Sequence, residues 1–148
     1  MRRALADGFE LDDDPRRVDA DAVHAFISGE SYWGRGRSRE LTRAAITGST
    51  RVLGLYRDGE QVGFARAVTD GVTVGYLADV YVLPAHRGLG LGLELVREMV
   101  DGASGPRVRW LLHTADASGL YVKLGFGDGP PPYPLMERPA TAGQAPSQ

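Results

Sequence analysis

The chain is 148 residues long, contains no cysteine, and carries a formal net charge of −2 with a pI near 5.9. That length suits one domain with its own core, and the missing cysteine excludes disulfides, thiolate metal sites and a cysteine acyl-enzyme. The mildly acidic balance argues against a nucleic-acid binder with a broad basic surface. No apolar run reaches the length of a membrane span, and the opening MRRALADGFELDDDP has no signal-peptide core, so the expected compartment is the cytoplasm. Lys123 is the single lysine, and the excess of arginine, alanine and glycine reads as the codon bias of a GC-rich bacterial genome. An individual arginine is therefore a weaker functional signal than usual.

In chain order, Phe9–Leu11 reads as a short strand, and Val18–Ser28 as a helix with Val18, Ala22, Ala25 and Phe26 on one face. The loop Ser31-Tyr32-Trp33-Gly34-Arg35-Gly36-Arg37 follows, and Ser38 caps a second helix over Arg39–Thr47 that Gly48 ends. The period then changes to two. Val52–Tyr56, Val62–Val68 and Val72–Val82 form an antiparallel meander, with Asp58-Gly59 and Asp70-Gly71 as the hairpin turns. The third strand is long, and strict alternation puts Val72, Val74, Tyr76, Ala78, Val80 and Val82 on one face before Pro84 stops it. Leu89, Leu93, Val96 and Val100 mark a helix that ends at Gly102. Val108–His113 reads as a buried strand, Ala115–Leu124 as a short helix closed by Gly125, and Leu135–Arg138 as a last strand. Residues 139–148 read as a disordered tail after a domain spanning 1–138.

A strand that ends at proline and passes through a glycine-rich turn into a helix presents unpaired N–H groups and a positive helix end to one spot, which suits phosphate. The dinucleotide fingerprint fails because Leu93 and Leu95 stand where a third glycine belongs. The nucleoside-triphosphate loop fails because no Gly-Lys-Ser/Thr follows. What remains is Arg87, Gly90 and Gly92 in an R-x-x-G-x-G pattern, preceded by Val80-Tyr81-Val82-Leu83-Pro84. Downstream, Ala117-Ser118-Gly119-Leu120-Tyr121 leads to Gly125-Phe126.

These two ordered motifs resemble the GNAT superfamily of N-acetyltransferases, over roughly residues 50 to 138. The resemblance implies an α/β (α+β) fold, with a mixed, mostly antiparallel central sheet flanked by helices and one splayed pair of parallel strands. It implies acetyl-CoA as cosubstrate and no metal. The pyrophosphate would lie on Arg87, Gly88, Leu89, Gly90, Leu91, Gly92 and Leu93, and the pantetheine along the main chain of Tyr81 and Val82. The acceptor would be the amine of a small molecule or peptide, with no nucleic acid or membrane involved and at most a second copy of the chain as a homodimer partner.

Without a thiol, the simplest chemistry is direct attack by a neutral amine on the thioester, which needs a base, an oxyanion donor and an acid for the departing thiolate. By the resemblance Tyr121 is the acid. Asp79, a carboxylate inside a strand and opposite Val80 and Val82, is the candidate base if burial raises its pKa; an ion pair is the competing role, and His113 is the alternative base. Tyr32, Trp33 and Arg35 are candidate acceptor-binding residues, because the family draws substrate choice from the segment between its first two helices. The family often carries an asparagine ahead of the tyrosine helix, and this chain has none. Two other readings stay open: a non-catalytic acyl-CoA-binding regulator, and a transferase using a larger acyl donor.

Overall fold

The computed structural model describes residues 1–102, 105–127 and 131–141. Six strands form one sheet in the order β1 (Arg2–Ala4), β2 (Phe9–Asp12), β3 (Arg51–Arg57), β4 (Glu60–Thr69), β5 (Val74–Val82) and β6 (Arg109–Leu111). Every neighbouring pair is antiparallel except β5 and β6, which run parallel. The helices are α1 (Ala20–Gly29), α2 (Arg39–Gly48), α3 (Leu91–Asp101) and α4 (Ser118–Val122). This is the mixed, mostly antiparallel sheet flanked by helices that the sequence predicts.

Local chemistry sets the helix starts. The Asp19 carboxylate accepts from the Ala22 N–H at 3.0 Å, and Ser38 Oγ accepts from the Leu41 N–H at 3.1 Å, each satisfying one donor that a helix start leaves open. The buried face of α1 is Val23, Phe26 and Ile27. Of the predicted face, Phe26 is buried, but Ala25 is exposed and Ala22 only half-buried, and the buried stripe runs through Val23 and Ile27 instead. In α3 the buried residues are Leu91, Leu95, Val96, Met99 and Val100. Leu89, predicted on that face, is 59 % exposed, because the helix starts only after Gly90 and leaves Leu89 in the turn.

Two apolar clusters sandwich the sheet. One joins α3 and Tyr121 to Leu53, Leu55, Ala65, Ala67, Leu77 and Val82, and the other joins α1 and Trp33 to Val52, Phe64 and Tyr81. Phe26 of α1 stacks on Tyr81 of β5 with ring centroids 4.1 Å apart. Leu77, Val80 and Val82 all pack on the α3 side, a spacing of three and then two, so the strict alternation predicted for this strand does not hold. The pairing with β4 explains it. Phe64 opposes Tyr81 and Arg66 opposes Ala78, which leaves one extra residue in β5, and Asp79 takes φ 53. That is a β-bulge, and it flips the face of everything after it.

Three further expectations change. β1 was not predicted, since MRRA has no alternating pattern; it pairs along β2 and ties Arg2 to Glu10 at 2.7 Å. β6 covers only Arg109–Leu111 of the predicted 108–113. No strand forms at Leu135–Arg138, which lie without regular structure, with Met136 94 % exposed. Of the predicted tail, residues 142–148 lie outside the described residues.

Close approach between β4 and β5 gives a stability test. An added Cβ at Gly63 would lie 2.9 Å from the Tyr81 carbonyl oxygen, a backbone atom that cannot swing aside. Gly63→Ala should cost about 1–3 kcal/mol, the usual cost of overpacking a filled core. Thermal unfolding checks it, and an unchanged melting temperature would show that the two strands separate freely there.

Candidate functional site

Parallel pairing of β5 with β6 lasts three positions, Val74 with Arg109, Gly75 with Trp110 and Tyr76 with Leu111. Beyond Tyr76, β5 continues to Val82 with no strand paired to that edge among the described residues, so β5 and β6 part and a fork opens. Unpaired strand edges offer main-chain donors and acceptors to an extended ligand. Tyr81 and Val82 stand at the far end of this edge. The Val82 carbonyl accepts from Arg87 Nε at 3.0 Å, so Arg87 ties the strand end to the following turn.

The turn itself runs from Pro84 to Gly90. The first main-chain bond of α3 runs from the Glu94 N–H to the Gly90 carbonyl at 3.2 Å, so helix geometry leaves the N–H groups of Leu91, Gly92 and Leu93 without an intrahelical acceptor. Gly90 caps the helix at φ 76, in the left-handed region, and an added Cβ there would meet nothing within 4 Å. The space a side chain would fill is open, as approach of a phosphate to the backbone requires. Gly92 differs, since its added Cβ would lie 3.1 Å from Leu120 Cδ1; its smallness also lets α3 pack against α4. The turn thus has the open backbone geometry that suits a phosphate group.

Tyr121 lies in α4, the helix that follows β6. It is 4 % exposed, belongs to the α3 cluster, and meets Phe126 edge-on at 5.6 Å. Burial, with smaller contributions from Tyr32 and Asp116, pushes its phenol up to about 12. It therefore remains a proton donor at neutral pH. Tyr121 also lines an open groove of about 1370 Å³ shared with Tyr76, Trp110, His113 and Ser118. Residues 87–93 do not line this groove, which lies along β6 and the segment 131–136, and the glycine turn is recognised by its backbone geometry instead.

Asp79 does point away from Val80 and Val82, toward the α1–α2 loop, but not as a free base. It is 1 % exposed, and its carboxylate receives Trp33 Nε1 at 3.0 Å, Arg37 Nη1 at 2.7 Å and Arg66 Nε at 2.7 Å. Burial alone would raise its pKa, but the hydrogen bond from Arg37 and the two guanidinium charges outweigh burial and hold the carboxyl below its ordinary value. The expected upward shift is therefore reversed, and the ion-pair role describes Asp79. Its sign follows: stability from this group is present above the unfolded carboxylate range near about 4 and is lost as pH falls through the lowered folded value.

Of the predicted acceptor residues, Trp33 is buried against Asp79, whereas Arg35 is exposed. Tyr32 reaches across to the far side of the fork, where its hydroxyl accepts from the Ala115 N–H at 2.8 Å. His113, the alternative base, is exposed after β6, and the Tyr76 hydroxyl lies 2.7 Å from its Nδ1. Sequence reasoning missed Arg66 and Tyr76 as site residues. Arg66 carried a signal, a charge inside the apolar alternation of β4. Tyr76 carried none, because an aromatic is ordinary in a strand. Among the described residues no group of three His, Cys, Asp or Glu could hold a metal ion, and no helix is long and apolar enough to cross a membrane.

The parallel pair β5–β6 that parts beyond Tyr76 and the glycine-capped start of α3 are the features expected of an acetyltransferase fold. The model of the acetyltransferase (GNAT) domain matches residues 48–127. A Gibberella zeae protein assigned to the acetyltransferases is 36 % identical over 140 residues, covering 78 % of this chain and 77 % of that one. A crystal structure from Xanthomonas campestris pv. campestris assigned to the GNAT family superimposes with a TM-score of 0.80 at 36 % identity, over 89 % of this chain and 93 % of that one. Serotonin N-acetyltransferase 2 of Oryza sativa subsp. japonica is 38 % identical over 74 residues, 49 % of this chain and 37 % of its own. The chain belongs to the GNAT family of acetyltransferases.

Proposed function

We propose that the protein is an N-acetyltransferase that moves the acetyl group of acetyl-CoA directly to the amine of a small molecule or peptide within a ternary complex. The observation that carries this reading is the parting of β5 from β6 beyond Tyr76, with the open Gly90 turn following β5 along the chain and Tyr121 following β6. The N–H groups of Leu91, Gly92 and Leu93 would hold the diphosphate, with Gly88, Leu89 and Gly90 shaping the turn. The main chain at Tyr81 and Val82 would take the pantetheine and support the thioester oxygen as it gains charge. The amine attacks the thioester carbon, its C–N bond forms, the C–S bond breaks, and Tyr121 delivers a proton to the departing thiolate. His113, exposed and hydrogen-bonded with Tyr76, would take the proton the amine loses. Tyr32, Trp33 and Arg35 would border the acceptor.

Support for an amine acceptor comes from the serotonin N-acetyltransferase relative, and support for the donor from a fold neighbour, N-acetylglutamate synthase from Neisseria gonorrhoeae, complexed with coenzyme A and N-acetyl-glutamate. With no cysteine to carry an acyl group, initial-rate plots against acetyl-CoA at several acceptor concentrations should intersect. His113→Gln should lower kcat/KM for the acceptor without changing that pattern. Parallel lines, or an acetylated protein found by mass spectrometry without acceptor, would refute the ternary mechanism. Acetyl-CoA binding without turnover across an amine panel would instead favour a non-catalytic binder.

A further inference from the structure

The loop of residues 31–37 is held at two places, by β5 on one side of the fork and by the segment after β6 on the other. On one side the buried Asp79 carboxylate holds it through Trp33 and Arg37, and Arg66 from β4 adds a third donor to the same carboxylate. On the other side Tyr32 accepts from the main chain of Ala115, in the segment that leads into α4 and Tyr121. Tyr32 and Trp33 are adjacent and meet edge-on at 5.0 Å, so a displacement of Trp33 moves Tyr32 with it. Tyr32 is also close enough to Tyr121 to influence its phenol.

The bulge makes this possible. Asp79 at φ 53 is an uncommon conformation for a residue with a side chain, tolerated best by Asn and Asp. Without the extra residue in β5, regular alternation would place side chains of the strand end differently relative to the loop. Arg37 is 4 % exposed and Arg66 is largely covered, so two guanidinium groups converge on one carboxylate away from water, where charge-assisted bonds hold geometry firmly.

We infer that Asp79 is a positioning residue for the acceptor: its carboxylate clasps the loop of residues 31–37 to the β5 bulge and thereby seats Tyr32 across the fork against Ala115, in the segment that leads into α4. The kinetic part of this inference rests on the acetyl-transfer reading above, while the clasp itself does not. Asp79→Asn keeps size and suits the positive φ but removes the charge; Trp33→Phe keeps an aromatic ring but removes the donor. In both, trypsin should cut after the exposed Arg35 about tenfold faster or more than in the wild type, the effect of losing a charge-assisted bond. The acceptor KM should rise while the acetyl-CoA dissociation constant, read by calorimetry, stays within about twofold, because the glycine turn lies outside the clasp.

Tyr32→Phe removes the other contact. Since both changes act through one loop, the loss in acceptor kcat/KM for Asp79→Asn combined with Tyr32→Phe should fall short of the product of the two single losses. A merely structural Asp79 would give multiplied losses, or an acetyl-CoA affinity that falls in step with the acceptor KM. Either result overturns the inference, as does unchanged cleavage at Arg35 in both Asp79→Asn and Trp33→Phe. If the wild type turns over no amine, the acetyl-transfer reading fails, and the cleavage rates alone decide the clasp.

Discussion

Gly90→Val should abolish measurable acetyl-CoA binding at ordinary concentrations while leaving the protein folded. The added side chain would project into the open space in front of the α3 start, where on the proposed reading the diphosphate approaches the backbone. Losing two hydrogen bonds to a charged phosphate, at about 1.5–3 kcal/mol each, weakens binding by at least about 100-fold. Stability falls less. A side chain in the left-handed region costs roughly 1–2 kcal/mol, which lowers the melting temperature of a chain this size by about 2–8 °C. Calorimetry for affinity and thermal unfolding for folding separate the two effects. Gly92→Val is a poorer test of the site, because its side chain would also press on Leu120 and disturb the packing of α4. A folded Gly90→Val protein with wild-type affinity would remove the glycine turn from the binding site.

Tyr121→Phe should lower kcat by about 10²–10⁴-fold, the usual range for loss of a general acid, and spare acetyl-CoA affinity. The ring stays, so its packing in the α3 cluster and its edge contact with Phe126 stay too. Only the hydroxyl is lost, which in the proposed mechanism acts as sulfur leaves. Because burial pushes that phenol up to about 12, it holds its proton across the neutral range. The fall of kcat at the alkaline end should therefore flatten or move in Tyr121→Phe, since the group whose deprotonation causes it is gone. An unchanged rate and profile, measured where chemistry limits turnover, would leave Tyr121 as a packing residue only.

Much of this protein is readable from its sequence, because the informative signals are local. Ser38 and Asp19 cap helices through bonds that span three residues, and Asp58-Gly59 turns a hairpin by its own backbone preference. The glycine turn is equally local, since a strand end, a run of glycines and an amphipathic helix follow one another along the chain. Together with the Tyr121 motif these residues were enough to suggest the family. What they could not specify is any relation between segments far apart. Asp79 was visible as an odd carboxylate in a strand, but its task depended on a bulge against β4 and on Trp33, 46 residues earlier. Whether burial or charge controls such a group depends on which cations pack beside it, and here two arginines reverse the shift that burial alone would produce. The bulge also moved the faces of β5, because one extra residue in a period of two exchanges inside for outside. The sequence by itself determined the first two helices, the three-stranded meander and the glycine turn before α3, where physics acts over a few residues. Only the tertiary structure decided the bonding of Asp79 and the reach of Tyr32 across the fork, because those interactions exist only once distant strands and loops have been brought together.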